Sequence, residues 1–208
     1  MSKVTYQSFT SVAQDTDGLA NNVAYAAGGY ALSANDAGDS LAHKIVITNN
    51  DAQDWTGAEI TVTGTDANGV PLEEVIPGPD ASTTTTTTLH FLTVTSVAID
   101  TDTGADTFDI GWTADAVGPS IYLDYQRDPV LNSTIFCMVP SGTPTYAVDY
   151  TADLTPDGPG ATSWLAHPTI TAKSATFCGQ MQFAVQAIRL HFTAAGQVNM
   201  TVIEPFHA

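Results

Sequence analysis

The stretch Ala58–Ile76 reads AEITVTGTDANGVPLEEVI, and its pattern decides the fold class. Two short segments rich in β-branched residues, Ala58–Gly64 and Val70–Ile76, flank Thr65-Asp66-Ala67-Asn68-Gly69. Asn-Gly accepts the positive φ that a tight turn demands, so the stretch predicts a β-hairpin.

The same alternation of β-rich segment and turn cluster runs outward in both directions. Leu41–Asn49 is a strand candidate. Leu89–Asp100 and Thr107–Trp112 flank Thr101–Asp106, which predicts a second hairpin. Ser120–Tyr125, Thr134–Val139 and Thr145–Thr151 continue the series. Phe183–Thr193 is apolar on both faces and reads as a central strand. Ala194-Ala195-Gly196 then turns the chain into Gln197–Glu204, a final hairpin closing a second sheet. Helix signals are poor: Ala172–Met181 lacks an i, i+3, i+4 stripe, and Gly28-Gly29 breaks Asn22–Leu32. The six-threonine run Thr83–Thr88 is expected to lead into the Leu89 strand rather than to form a linker. Residues 1–40 have the fewest strand signals and many small residues, which suits an extended arm. The expected class is all-β, with two β-sandwich domains of jelly-roll or Ig-like type.

Charge divides the chain. The 208 residues hold 22 Asp and Glu against 5 Lys and Arg, a net of −17. Phosphate neutralisation needs clustered Lys and Arg, so nucleic-acid binding is not expected, nor is adhesion to anionic membranes. Residues 1–116 carry −14 and residues 117–208 carry −3. With turn residues at Ala114–Ser120, this places a domain boundary between 116 and 117, giving an acidic domain 1–116 and a second domain 117–208. No run approaches the roughly 18 apolar residues of a membrane span. The first residues, MSKVTYQSFTSVAQ, contain no apolar h-region of a secretory signal.

Motifs that carry chemistry are few. Asp100, Asp102 and Asp106 alternate through a Gly-containing turn, which can aim carboxylates at Ca²⁺, but a terminal bidentate acid is missing. An acidic turn tip explains the same residues, and Asp15-Thr16-Asp17-Gly18 is a weaker version. The histidines His43, His90, His167, His191 and His207 show no i, i+2 or i, i+4 spacing. No G-x-S-x-G elbow, Walker loop or dinucleotide fingerprint is present. Cys137 and Cys178 each follow a phenylalanine and read as two buried, inert thiols, with a bridge between them a matter of geometry. Glu73 and Glu74 point to opposite faces of a strand and cannot act as an acid/base pair. Trp55, Trp112 and Trp164 could stack on sugar, though core packing explains them better. The residues thus nominate no catalytic group, cofactor or metal ligand, and a non-enzyme is expected.

Several segments share a recognisable cadence. They are Ile60–Ile76, the threonine tract, His90–Val97 (HFLTVTSV) and Asp109-Ile110-Gly111-Trp112, followed by Tyr146–Thr151, Trp164, Ala187–Leu190 and a Val-x-Met-Thr-Val-Ile end. Over most of residues 45–203 the chain resembles the small β-rich structural proteins of tailed-bacteriophage virions. The resemblance implies a protein made in the host cytoplasm and carried in the virion. It implies a homo-oligomer that contacts the major capsid protein or head–tail proteins. A capsid decoration or cement protein is the first expectation, and a tail or head–tail connector component is the alternative. A calcium-dependent adhesin or carbohydrate-binding module is the third.

Overall fold

The computed structural model describes residues 3–26, 29–123, 133–153, 164–182 and 185–204. The chain is all-β: the described residues form strands and no helix. In chain order these are β1 (Lys3–Ser11), β2 (Asp15–Ala24), β3 (Ala42–Asn49), β4 (Glu59–Thr65), β5 (Pro71–Pro77), β6 (Thr84–Thr86), β7 (Thr93–Ile99) and β8 (Thr107–Val117). Then come β9 (Ile121–Tyr122), β10 (Ser133–Met138), β11 (Thr145–Thr151), β12 (Leu165–Ala166), β13 (Phe177–Met181), β14 (Ala187–Ala194) and β15 (Gly196–Glu204). Residues 124–125 and 183–184, at the ends of two predicted strands, lie outside the described residues.

The chain folds into two compact units, Ala13–Ala116 and Met1–Val12 with Val117–Ala208. Charge and turn residues alone place all of residues 1–116 together, with 1–40 as an arm. β1 instead pairs along its whole length with β15, from Lys3↔Glu204 to Ser11↔Gly196. This sharpens the charge asymmetry. Residues 13–116 hold one lysine against 16 acids, a net of −15, while the other unit holds four bases against six acids, a net of −2.

Within Ala13–Ala116, β4 sits between β5 and β7 in a three-stranded sheet. The β4–β5 hairpin forms with Glu59↔Pro77 to Thr65↔Pro71 in register. At its tip the Asp66 carboxylate accepts from the Val70 and Asn68 amides, and Gly69, at φ 80°, supplies the positive angle. β8 pairs with β2, neighbours β3, and β3 in turn carries β6. The buried cluster draws on both sets of strands: Ile45 and Ile47 from β3, Ile60 and Val62 from β4, Val97 from β7, Phe108 and Ile110 from β8. With so few bases, ion pairs can contribute little, and burial of this apolar surface is the main cohesive term.

In the other unit, β1-β15-β10-β13 form one four-stranded sheet. β11 pairs with β12 and β14, and β14 also pairs with β9. The central placement of β14 follows from its sequence: Ile188, Leu190 and Phe192 are fully buried on one face.

Two predicted hairpins turn out to be corners. β7 ends in the β5-β4-β7 sheet while β8 pairs with β2, so Thr101–Asp106 carries the chain between sheets. β14 pairs with β11 and β15 with β1 and β10, so Ala195 does the same. A short link specifies a sharp reversal, but which edge the next strand joins depends on which face it must bury. The threonine run is β6, paired with β3 through Val46↔Thr86 to Thr48↔Thr84. It stops at Thr87, whose Oγ1 accepts from the Ile45 amide and donates to the Leu89 carbonyl, so no strand begins at Leu89.

Candidate functional site

Among the described residues, the outer face of the β1-β15-β10-β13 sheet is a feature without an internal role. Side chains alternate across a strand, so register determines who shares this face. One row runs Val4, Ile203, Thr134, Gln180, and the next Tyr6, Thr201, Phe136, Cys178. A third holds Ser8, Asn199 and Met138, with the Ser8 hydroxyl 2.7 Å from Asn199 Oδ1. Val4 and Tyr6 are about 60% exposed, at 60% and 59%, and Phe136, Met138 and Ile203 are 37–39% exposed. None of these residues carries a formal charge at pH 7. The opposite face, with Ile135, Cys137, Met181, Val198, Met200 and Val202, is buried.

The titratable groups include several histidine–aspartate pairs. His43 on β3 is buried, its Nδ1 2.8 Å from the Thr113 carbonyl oxygen. Its Nε2 lies 3.0 and 3.1 Å from the Asp39 carboxylate oxygens. A carbonyl only accepts, so Nδ1 carries a proton and donates, while Nε2 faces the Asp39 carboxylate. Both ring nitrogens are thereby committed, and neither can activate a nucleophile. Asp115 receives His90 Nε2 at 2.9 Å and Lys44 Nζ at 2.7 Å. In the other unit, Asp149 on β11 lies 3.0 Å from His191 Nδ1 and 3.7 Å from the Arg189 guanidinium on β14. That guanidinium lies 4.1 Å from the centre of the Trp164 ring.

His167 is of another kind. Its Nδ1 accepts from the Thr169 and Ile170 amides at 3.2 Å, and its Nε2 donates to the Gln180 carbonyl at 3.2 Å. The ring is a neutral cap, and burial lowers its pKa against a smaller opposing effect of the Gln180 bond. A base with a lowered folded-state pKa stabilises the fold at high pH and loses that contribution as pH falls below the unfolded value of about 6.5. The transition of this unit is therefore expected to drop in temperature between pH 7 and pH 5.5. His167→Asn, whose Oδ1 can cap the same amides, should flatten that slope in thermal melts.

The other sequence candidates disperse. The Asp100 carboxylate accepts from the Glu59 amide, Asp102 from the Gly104 amide, and Asp106 from Trp55 Nε1. Asp102 caps its own turn, Asp100 and Asp106 tie that turn to the Trp55–Glu59 segment, and among the described residues these three do not converge into a cation site. Asp15 accepts from the Asp17 amide, and Asp17 from the Asn21 side chain. The bonds to Asp15 and then Asn21 lower the Asp17 pKa. Glu74 accepts from the Thr88 and Leu89 amides, while Glu73 is exposed on the other face. The tryptophans take separate partners: Trp55 Nε1 on Asp106, Trp112 Nε1 on the Ala13 carbonyl, Trp164 under Arg189. His207 lies outside the described residues, as does Arg127.

The expectation of two buried thiols is corrected by register. Cys137 pairs with Phe177 and Cys178 with Phe136, which puts the two cysteines on opposite faces of the sheet. Cys137 is buried, and burial, with Cys178 nearby as the lesser cause, pushes its thiol up to about 12. Cys178 is exposed, and both are free. Opposed Cβ directions forbid a bridge between them.

No family model, no curated protein and no solved structure matches the chain.

This open face is hidden in the sequence because residues 1–12 carry weak strand signals. The signal that could have found it is the alternation Val4, Tyr6, Ser8 against Thr5, Gln7, Phe9. Both sets contain an aromatic residue, so periodicity alone does not say which is outward.

Proposed function

We propose that this chain is a non-enzymatic structural protein of a tailed-bacteriophage virion, a capsid decoration or cement protein built from two β-sandwich units. The observation that carries the reading is the segregation of charge: −15 on one unit, −2 on the other, and on the second an open sheet face without acidic or basic side chains that exposes Val4, Tyr6, Phe136, Met138 and Ile203. An acidic unit repels other acidic surfaces and stays solvated. A near-neutral unit with exposed aromatic residues is the part suited to stable contact with other virion proteins. The repeated β cadence of the sequence supports the same reading, and the absorption of most polar groups into turns and caps supports a scaffold role.

The experiment is quantitative protein analysis of purified particles. The chain is expected to co-sediment with them in hundreds of copies. A ring-sized copy number would move the protein to the tail or neck, a reading favoured by the −15 unit, since a negative lining lets DNA slide without sticking. Absence from particles would overturn both.

A further inference from the structure

We infer that the outer face of the β1-β15-β10-β13 sheet is a self-association surface, occupied by the same face of a second copy of this chain. The argument begins with charge. Two chains of −17 repel each other wherever acids oppose. On this face the three rows from Val4 to Met138 contain no Asp, Glu, His, Lys or Arg, so two copies can approach there without opposing acidic or basic side chains. A partner of strong charge, basic or acidic, finds nothing on it to recognise.

Self-complementarity follows from residue type. A two-fold contact is isologous, so each patch must fit its own copy. A charged patch fails that condition, whereas this one meets it twice. Its apolar members, Val4, Tyr6, Phe136, Met138 and Ile203, can pack on one another across the axis. Its polar members, Ser8, Thr134, Gln180, Asn199 and Thr201, carry both donors and acceptors, so each can bond its own kind. Sheets pack face to face about 10 Å apart.

Size sets the strength. Four strands about 4.8 Å apart, with about 3.3 Å per residue, give a footprint of roughly 20 Å by 20–30 Å, on the order of 500 Å² per copy. That is below the roughly 800 Å² per partner of a standard interface. The pair is accordingly a weak, concentration-dependent one.

The test is sedimentation equilibrium of the full chain from about 1 μM to 1 mM, read beside maleimide labelling of Cys178. Cys178 lies on this face beside Phe136. Wild type is expected to dimerise with rising concentration, more strongly at higher salt because screening weakens the repulsion between acidic bodies. Cys178 labelling should slow in parallel. Phe136→Glu places like charges across the contact and should weaken association about a hundredfold or more. Val75→Glu, at an exposed apolar position of β5, should leave it unchanged. Circular dichroism and melting of each variant show whether the fold is kept, and Tyr6→Asp serves if Phe136→Glu does not fold. A wild type monomeric to 1 mM would overturn the inference. So would association that survives a folded Phe136→Glu or Tyr6→Asp, labelling of Cys178 indifferent to association, or equal loss in Val75→Glu. The inference stands apart from the virion reading: a chain that dimerises this way but is missing from particles keeps the one and loses the other.

Discussion

Asp39→Ala is expected to destabilise the Ala13–Ala116 unit by about 3–5 kcal/mol, the usual loss when one partner of a buried ion pair is removed. The side chains of His43 and Asp39 are each only 2% exposed. Asp39 is the acceptor for one face of the imidazole and also for the Leu41 amide at 3.0 Å. Alanine removes both acceptors, leaving the Leu41 amide and His43 Nε2 buried without them. Asp39→Asn should be mild, about 1 kcal/mol. Its Oδ1 can still accept from the Leu41 amide, and its Nδ2 can donate to Nε2 of a neutral His43. In thermal melts the alanine variant should lose about 12 °C or more from the transition of this unit, and the asparagine variant a few degrees. Equal losses would show that the side chain's volume, not the hydrogen bonds it accepts, matters at Asp39.

The second large effect is steric. A Cβ on Gly64 would stand 1.8 Å from the Thr93 carbonyl oxygen and 3.1 Å from Val94 Cα. These are backbone atoms of β7, at the point where the β4–β7 register shifts between Thr63 and Gly64. A flexible side chain could swing away, but a paired strand cannot. On Gly111 the added carbon would meet the Asp15 carbonyl oxygen at 2.0 Å, where β2 lies against β8. Gly64→Ala and Gly111→Ala are each expected to cost about 3 kcal/mol or more, at or beyond the upper end of overpacking losses. Gly69→Ala is the internal control: its φ is 80° but nothing lies within 4 Å of the added carbon. Its cost should be only the roughly 1–2 kcal/mol of placing an alanine in the left-handed region. Urea unfolding of the three variants should rank them in that order, and a Gly69 variant as weak as the other two would remove the steric account.

These glycines explain part of the cadence. In Thr63-Gly64-Thr65-Asp66 the glycine allows the bulge and the aspartate caps the turn. In Ile110-Gly111-Trp112 the glycine admits β2, and the Trp112 ring then covers Gly18, where a Cβ would lie 2.3 Å from it. Gly18, Gly64 and Gly111 are residues the fold needs at close approaches. They speak to architecture and not to a site.

Much of the fold was legible. The β4–β5 hairpin was written in Asn68-Gly69 and its flanking segments, and Thr145–Thr151 matches β11 residue for residue. The local signals that failed were those needing a distant partner. Lys3–Ser11 predicts an arm because its strand signals are weak and its alternation does not say which face is buried until β15 lies beside it. Thr101–Asp106 and Ala195 were read as hairpin turns because a corner and a hairpin use the same turn residues. The candidate face was hidden for the same reason: it is shared by strands centred near residues 7, 136, 179 and 200, and no window of sequence contains it.

The sequence by itself determined the all-β class, most strand positions and the acid excess, because these rest on backbone preference and side-chain charge, which are local or additive. Only the tertiary structure decided where the charge resides. By pairing β1 with β15 it moved Lys3 out of the acidic unit and left −15 against −2. It also decided that Cys137 and Cys178 oppose each other through a sheet and that Val4, Tyr6, Phe136 and Ile203 share one open face. Register is the physical reason: a slip of one residue would turn every side chain over, and the core that forbids the slip is assembled from the whole unit.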